Sequence, residues 1–151
     1  MTDSSVPGLI FPLQDRSLLL PDTLVAEITP MAGLIVESSK QRWLLGRKHW
    51  RNLRIPVIAF ETLSGGSLRK HSEHACIAVV KGSGTHEQLP FWGLLLQNKP
   101  KSVKVFEHDL TVINEVLSDS ELMSVSVKEN AVRIPNLEYL EEQLISSSAV
   151  H

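Results

Sequence analysis

A chain of 151 residues with 15 Lys and Arg against 17 Asp and Glu, formal net charge -2, with 42% hydrophobic and 21% charged side chains, has the size and balance of one globular domain. That balance excludes a disordered or fibrous chain and argues against a general nucleic-acid binder, which needs an excess of cations to displace counterions from phosphates. No apolar run approaches the ~20 residues that span a bilayer, the first residues do not read as a secretion signal, and the single cysteine, Cys76, allows no internal disulfide, so a cytoplasmic protein without direct membrane insertion is expected.

In chain order, Leu9–Leu13 and Ser17–Leu20 flank the polar Gln14-Asp15-Arg16, the spacing of a hairpin. Thr23 to Ile28 suits a helical face through Leu24, Val25 and Ile28 but has strand-like β-branching, and is read as a strand bending after Pro21. Thr29 to Arg42, with Pro30, Gly33 and a polar run, reads as a surface connection. Gly46–Trp50 and Leu53–Phe60 form the best-defined hairpin, because Asn52 tolerates the left-handed backbone of a tight turn. Pro56 donates no ladder hydrogen bond, so its strand lies at an edge or its pairing breaks there.

Ser64 to His74 reads as a loop, followed by strands at Ala75–Val80, Phe91–Gln97, Ser102–Phe106, Met123–Lys128 and Ala131–Ile134. A weak helix is expected over Leu110–Leu117. A stronger one follows Pro135, with Leu137, Leu140 and Leu144 on one face and Glu138, Glu141 and Glu142 in water. Residues 1–8 and 146–151 are expected to be flexible. Many short strands with few helices predict an all-β single domain over 1–151, a set of antiparallel barrels or a sandwich.

Chemistry-bearing motifs are sparse. Lys81-Gly82-Ser83-Gly84-Thr85 lacks the Gly-Lys-Ser/Thr ending of a phosphate loop and the flanking glycines of a nucleophile elbow, and reads as a strand-to-strand loop. His71, His74 and Cys76 are weak metal-ligand candidates that need a distant fourth group such as His86 or His108, and the competing reading is a solvated loop running into a buried strand. No paired carboxylates stand out. No enzyme, cofactor or resident metal is therefore expected.

Lys40, Arg42, Arg47, Lys48, Arg51 and Arg54 form the one charge anomaly, with no acidic residue among positions 40–54. Strand alternation puts Arg47, His49 and Arg51 on one face and Lys48 with Trp50 on the other. The stripe is read as a solvated edge strand protected by its charges, as a surface for an acidic protein partner, or as a groove for single-stranded nucleic acid stacking on Trp50 or Trp43. Trp92, between Phe91 and Leu94, is expected in the core, and Trp43 and Trp50 half exposed.

The stretch from Trp43 through Gly46, Arg51 and Pro56-Val57-Ile58 resembles the Gly, Arg-Gly and Pro-Val-Ile-Asp-Leu core of CheW-like chemotaxis adaptors. Leu18 to Ile28 is similar to that family's early Val-x-Glu-Ile strand, Phe91-Trp-Gly93-Leu-Leu-Leu to its later glycine-containing strand, and Val132 to Leu140 to its closing strand and short helix. The resemblance implies two SH3-like five-stranded barrels sharing a core, and a non-catalytic scaffold linking chemoreceptor tips to a CheA-type histidine kinase. The Gly-x-x-x-Trp-Arg hairpin looks most like the ChpC-type branch of chemosensory systems that control type IV pili and twitching motility. Carried over by motif, partner contacts fall at Val25, Gly46 and Arg51, beside Arg47 and Trp50. Asn52 stands for the family's glycine, and Ala59 for its aspartate.

Overall fold

The computed structural model describes residues 5–37, 41–66 and 70–147. Its twelve strands form two six-stranded sheets, and the chain starts in one, builds the other, and returns to the first. The first hairpin joins β1 (Ser5–Pro12) to β2 (Ser17–Pro21) with Pro12 opposite Ser17, as the spacing predicts. The strand begins before Leu9 because Ser5 to Ile10 also pair with β9 (Lys101–Phe106). The same sheet is completed by β10 (Leu110–Val112), β11 (Glu121–Val127) and β12 (Asn130–Pro135), in the order β10-β11-β12-β2-β1-β9. Of the ends expected to be flexible, residues 1–4 and 148–151 lie outside the described residues, and Ser5–Gly8 belong to β1.

After a single 3-10 turn at Asp22–Leu24, β3 (Val25–Pro30) opens the second sheet. It is completed by β4 (Leu34–Val36), β5 (Leu44–Trp50), β6 (Leu53–Ile58), β7 (Cys76–Lys81) and β8 (Phe91–Leu96), ordered β3-β7-β8-β6-β5-β4. Each expected five-stranded barrel is thus a curled sheet of six. The added members, β4 and β10, are three-residue edge strands.

Pro56 shows how the sequence shapes this ladder. Its strand β6 is interior, but the parallel pairing with β8 starts only at Val57 opposite Gly93, one residue after the missing N–H. Gly93 is required there, since a Cβ would stand 2.9 Å from the Val57 side chain.

Three apolar clusters organise the molecule. Leu19, Val125, Val127 and Val132 fill the first curled sheet, and Trp50, Ile55 and Val79 fill the second. Between them lies the largest, with Phe11, Leu18, Leu20, Ile58, Phe60 and Trp92 among its members. It is capped by α2 (Leu137–Ser146), whose Asn136 side chain accepts from the Tyr139 N–H at 3.1 Å. A short α1 (Phe60–Leu63) also seats Phe60 in this core.

Several expectations are corrected. Leu110–Leu117 is no helix: β-branched Thr111 and Val112 pair with Ser126 and Val125, and an irregular segment follows. Thr29 to Arg42 contains β4, held by its ladder to β5. Glu141 does not face water; it is buried and accepts from the Ser83 N–H and hydroxyl, the latter at 3.0 Å, which ties the β7–β8 loop to α2. Trp43 is buried, and its carbonyl accepts from the Ala59 N–H. Trp92 is in the core as expected.

Truncating Leu94, buried in the shared cluster, to alanine removes contacts that the rigid sheet cannot restore, and about 3 kcal/mol of stability is expected to be lost. The exposed Val112→Ala should change stability by less than about 0.5 kcal/mol. Urea unfolding of both variants checks the contrast.

Candidate functional site

The β5–β6 hairpin positions the candidate residues. Arg51 and Asn52 both have positive φ, 45° and 66°, the backbone a two-residue hairpin turn requires to match strand twist. Burial alternates along β5, with Leu44, Gly46, Lys48 and Trp50 inside and Arg47 and His49 outward. The two faces are divided as the period of two predicts.

The inner face differs from the expected display. Trp50 is enclosed with Phe91 at a ring separation of 4.8 Å, so it offers no open stacking platform. The Lys48 ammonium is drawn inward and donates to the Ala32 carbonyl, fastening the turn before β4. Of the expected cationic stripe, Arg47 is half-buried and pairs with Glu37 at 3.3 Å, Lys40 lies outside the described residues, and Arg51 stands out at the turn.

Arg51 does two things there. Its guanidinium carbon lies 4.7 Å from the centroid of the Trp50 ring, covering the indole at the end of the barrel. One of its nitrogens also reaches the Glu27 carboxylate at 3.3 Å. Glu27 belongs to β3, an edge strand of this sheet separated from β6 by β7 and β8, so this pair links the β5–β6 turn to a strand that is not its neighbour. Ala26 packs on the Trp50 cluster from the same strand.

Val25 sits at the start of β3 opposite Val80, beside an irregularity in register, and its partly buried side chain packs on the shared core. Gly46 is fixed by close approach: its φ is 154° and a Cβ would stand 2.0 Å from the Ile35 carbonyl oxygen of β4. The structure therefore brings Trp50 and Arg51 together with Glu27, leaves Arg47 one step along the outer face, and gives Gly46 the task of admitting β4. Glu27 was not singled out by sequence reasoning. Its only sequence signal is membership of the Val-x-Glu-Ile stretch.

A second polar cluster lies away from this turn and was also missed. Glu121 is buried between Arg16 and Arg133, each guanidinium 2.8 Å from a different carboxylate oxygen. Burial alone would raise its pKa, but the Ser118 N–H and the Arg16 guanidinium reverse the sign and hold it below the ordinary glutamate value. Arg16 also pairs with Asp15 at 2.8 Å, and Arg133 with Glu115 at 2.9 Å. These residues come from positions far apart in sequence, which hides the cluster from any reading of spacing.

The metal candidates are not assembled. His74 and Cys76 line one shallow cleft with Thr29 and Lys99, His71 is not among its lining residues, and no group of three or more His, Cys, Asp or Glu is placed to hold a metal among the described residues. Burial pushes the Cys76 thiol up, further from the thiolate a metal needs. Ser83 is occupied with Glu141. No helix among the described residues is long and apolar enough to cross a membrane.

No family model matches the chain, and no curated protein matches it. Among solved structures, the scaffolding protein TtCheW from Thermoanaerobacter tengcongensis superposes with a TM-score of 0.76 over 90% of this chain and 92% of that chain, at 17% sequence identity. This chain has the CheW fold. The two curled sheets, the shared core and the short closing helix agree with the all-β architecture that the family resemblance implies. On that fold, Arg51 is the tip of the β5–β6 turn and Glu121 lies at the start of β11.

Two outcomes are expected. Arg51→Ala removes an exposed ion pair and a ring cover, so stability should fall by no more than about 1 kcal/mol. Trp50 emission should shift to the red as water reaches the indole, which fluorescence spectroscopy reads directly. For Glu121, the depressed folded pKa means that its contribution is fully present above the ordinary glutamate pKa and is lost as pH falls through the lower folded value. Glu121→Gln should therefore flatten the acid limb of the stability curve, measured by urea unfolding between neutral pH and pH 3.

Proposed function

We propose that this chain is a non-catalytic adaptor of a bacterial chemosensory system, holding a chemoreceptor cytoplasmic tip and a CheA-type histidine kinase together. The observation that carries the reading is the double-sheet fold shared with a scaffolding protein over 90% of the chain, with an exposed arginine held at the tip of a two-residue turn. Rigid display lowers the entropy cost of recognition, because the turn fixes the Arg51 backbone and the Trp50 ring already holds its guanidinium.

The contact set is Val25, Gly46, Arg47, Trp50 and Arg51. Arg51 supplies a cationic anchor for an acidic receptor or kinase side chain, Arg47 adds charge along the same face, and Val25 adds apolar area. Gly46 and Trp50 act from beneath, by setting the position of β4 and of the Arg51 side chain. Such a contact is modest in area and transient. A place in the cytoplasm and in the ChpC-type systems that control type IV pili completes the proposal, the latter resting on the Gly-x-x-x-Trp-Arg hairpin alone.

The burial of Trp43 and Trp50 favours this reading over single-stranded nucleic acid, whose bases need an open aromatic face. Arg51→Glu should weaken binding to the receptor tip or the kinase regulatory domain of the same organism by about thirtyfold, the effect of losing one hot-spot side chain. Calorimetry with each purified partner measures it, on a variant that stays folded with no more than the small stability loss expected from removing the Glu27 pair and the Trp50 cover. Wild-type affinity in the variant, or failure of the native chain to bind either protein, would contradict the proposal.

A further inference from the structure

The irregular segment 113–120 between β10 and β11 is unusual for a loop in being fastened at both ends. Near its start, the Ile113 N–H donates to the Ser124 carbonyl at 2.8 Å, and Glu115 accepts from the Ser124 hydroxyl at 2.8 Å and from Arg133 at 2.9 Å. Near its end, the Ser118 N–H donates to Glu121 at 3.1 Å, and Glu121 is itself gripped by Arg16 and Arg133. Ser120 meets Ser64, just past α1, so the strap also reaches across to the second sheet.

What this held strap presents outward is apolar. Val116 is 94% exposed, the highest value among the exposed large hydrophobic side chains, and Leu117 beside it is also exposed. A single exposed valine is ordinary on any surface. A pair at the crest of a strap immobilised by buried guanidinium–carboxylate contacts is preorganised for contact. Of the two charged side chains of segment 113–120, Glu115 is already paired with Arg133, which leaves Asp119, with no ion pair among the described residues, as the charge the strap offers outward; the two arginines beneath are both engaged with carboxylates.

We infer that the strap is a second docking surface, with Val116 and Leu117 as a knob that fits a partner protein's apolar socket rimmed by Lys or Arg. The inference rests on the adaptor reading and deepens it, because a chain that joins two proteins needs two separate surfaces. β6 supplies the separation: the Arg51 turn adjoins its first residue, while α1 and Ser64 follow its last, roughly 20 Å away for a six-residue strand. The two surfaces also differ in sign. The Arg51 end takes an acidic partner, and the strap takes a basic one.

The test uses the full chain with the receptor tip and the kinase regulatory domain of the same organism, each titrated by calorimetry. Val116→Asp and, to keep charge constant, Val116→Ser should each weaken one of the two partners by roughly tenfold or more, while leaving the melting midpoint unchanged. Asp119→Lys should weaken that same partner, most strongly at low salt. Arg51→Glu should weaken the other partner. Strap variants that bind both partners like the native chain, or strap and Arg51 variants that weaken the same partner, would overturn the inference while leaving the adaptor reading in place. A native chain that binds neither protein would remove the adaptor reading itself, and the strap with it.

Discussion

The architecture depends on strands that bury both faces. In β2, Leu18 and Leu20 point into the shared core while Leu19 points into the first curled sheet. In β7, Cys76, Ala78 and Val80 face the shared core, and Val79 faces the interior of the second sheet. The period of two thus welds three cores into one body, because moving either strand by one residue would exchange its two apolar sets between compartments of different shape. The interior is apolar apart from a few buried charged side chains such as Glu61, Glu121 and Glu141, and the outer turns and loops are what these strands hold in place.

The two polar constellations serve that arrangement at opposite places. Glu27 and Arg51 tie the edge strand β3 to the β5–β6 turn with an exposed pair whose worth in stability is small. Arg16, Glu121 and Arg133 are different. Glu121 is almost without water and receives two guanidinium groups, so removing one leaves a buried charge compensated by only the other and by the Ser118 N–H. The Arg16 side of this cluster touches α1 as well, since its guanidinium carbon lies 5.9 Å from the centroid of the Phe60 ring and, in the same turn, the Gln14 N–H donates to the buried Glu61 of α1 at 3.0 Å. The turn between β1 and β2 is therefore gripped by both halves of the molecule.

Much of the fold was legible because its signals are local. The Arg51-Asn52 turn, the Gln14-Asp15-Arg16 turn and the Leu137, Leu140, Leu144 stripe each declare an element within a few residues, and all three are present. The segment from Leu110 misled because Leu110, Ile113 and Leu117 repeat at a helical interval, whereas the ladder with Val125 to Val127 makes the strand. Glu141 misled for a related reason: pattern assigns charge to water, but the Ser83 amide and hydroxyl supply hydrogen bonds that let a carboxylate lie inside.

For the candidate site, alternation divided β5 correctly into two faces, yet could not say that Lys48 is inside, because that depends on the Ala32 carbonyl meeting its ammonium. The pairing of Arg51 with Glu27 and of Arg133 with Glu115 and Glu121 joins residues from different elements, so it follows from the tertiary arrangement and not from sequence spacing. On the proposed function, a double-sheet body of this kind works through its outer walls. Hydrogen exchange measured on the chain, free and with receptor tip and kinase regulatory domain bound, tests it most directly. New protection is expected only in the β5–β6 turn, β3 and the 113–120 strap, with the amides of β7 and β8 unchanged; protection appearing only in the buried strands, or none at all, would rule out partner docking on the outer walls.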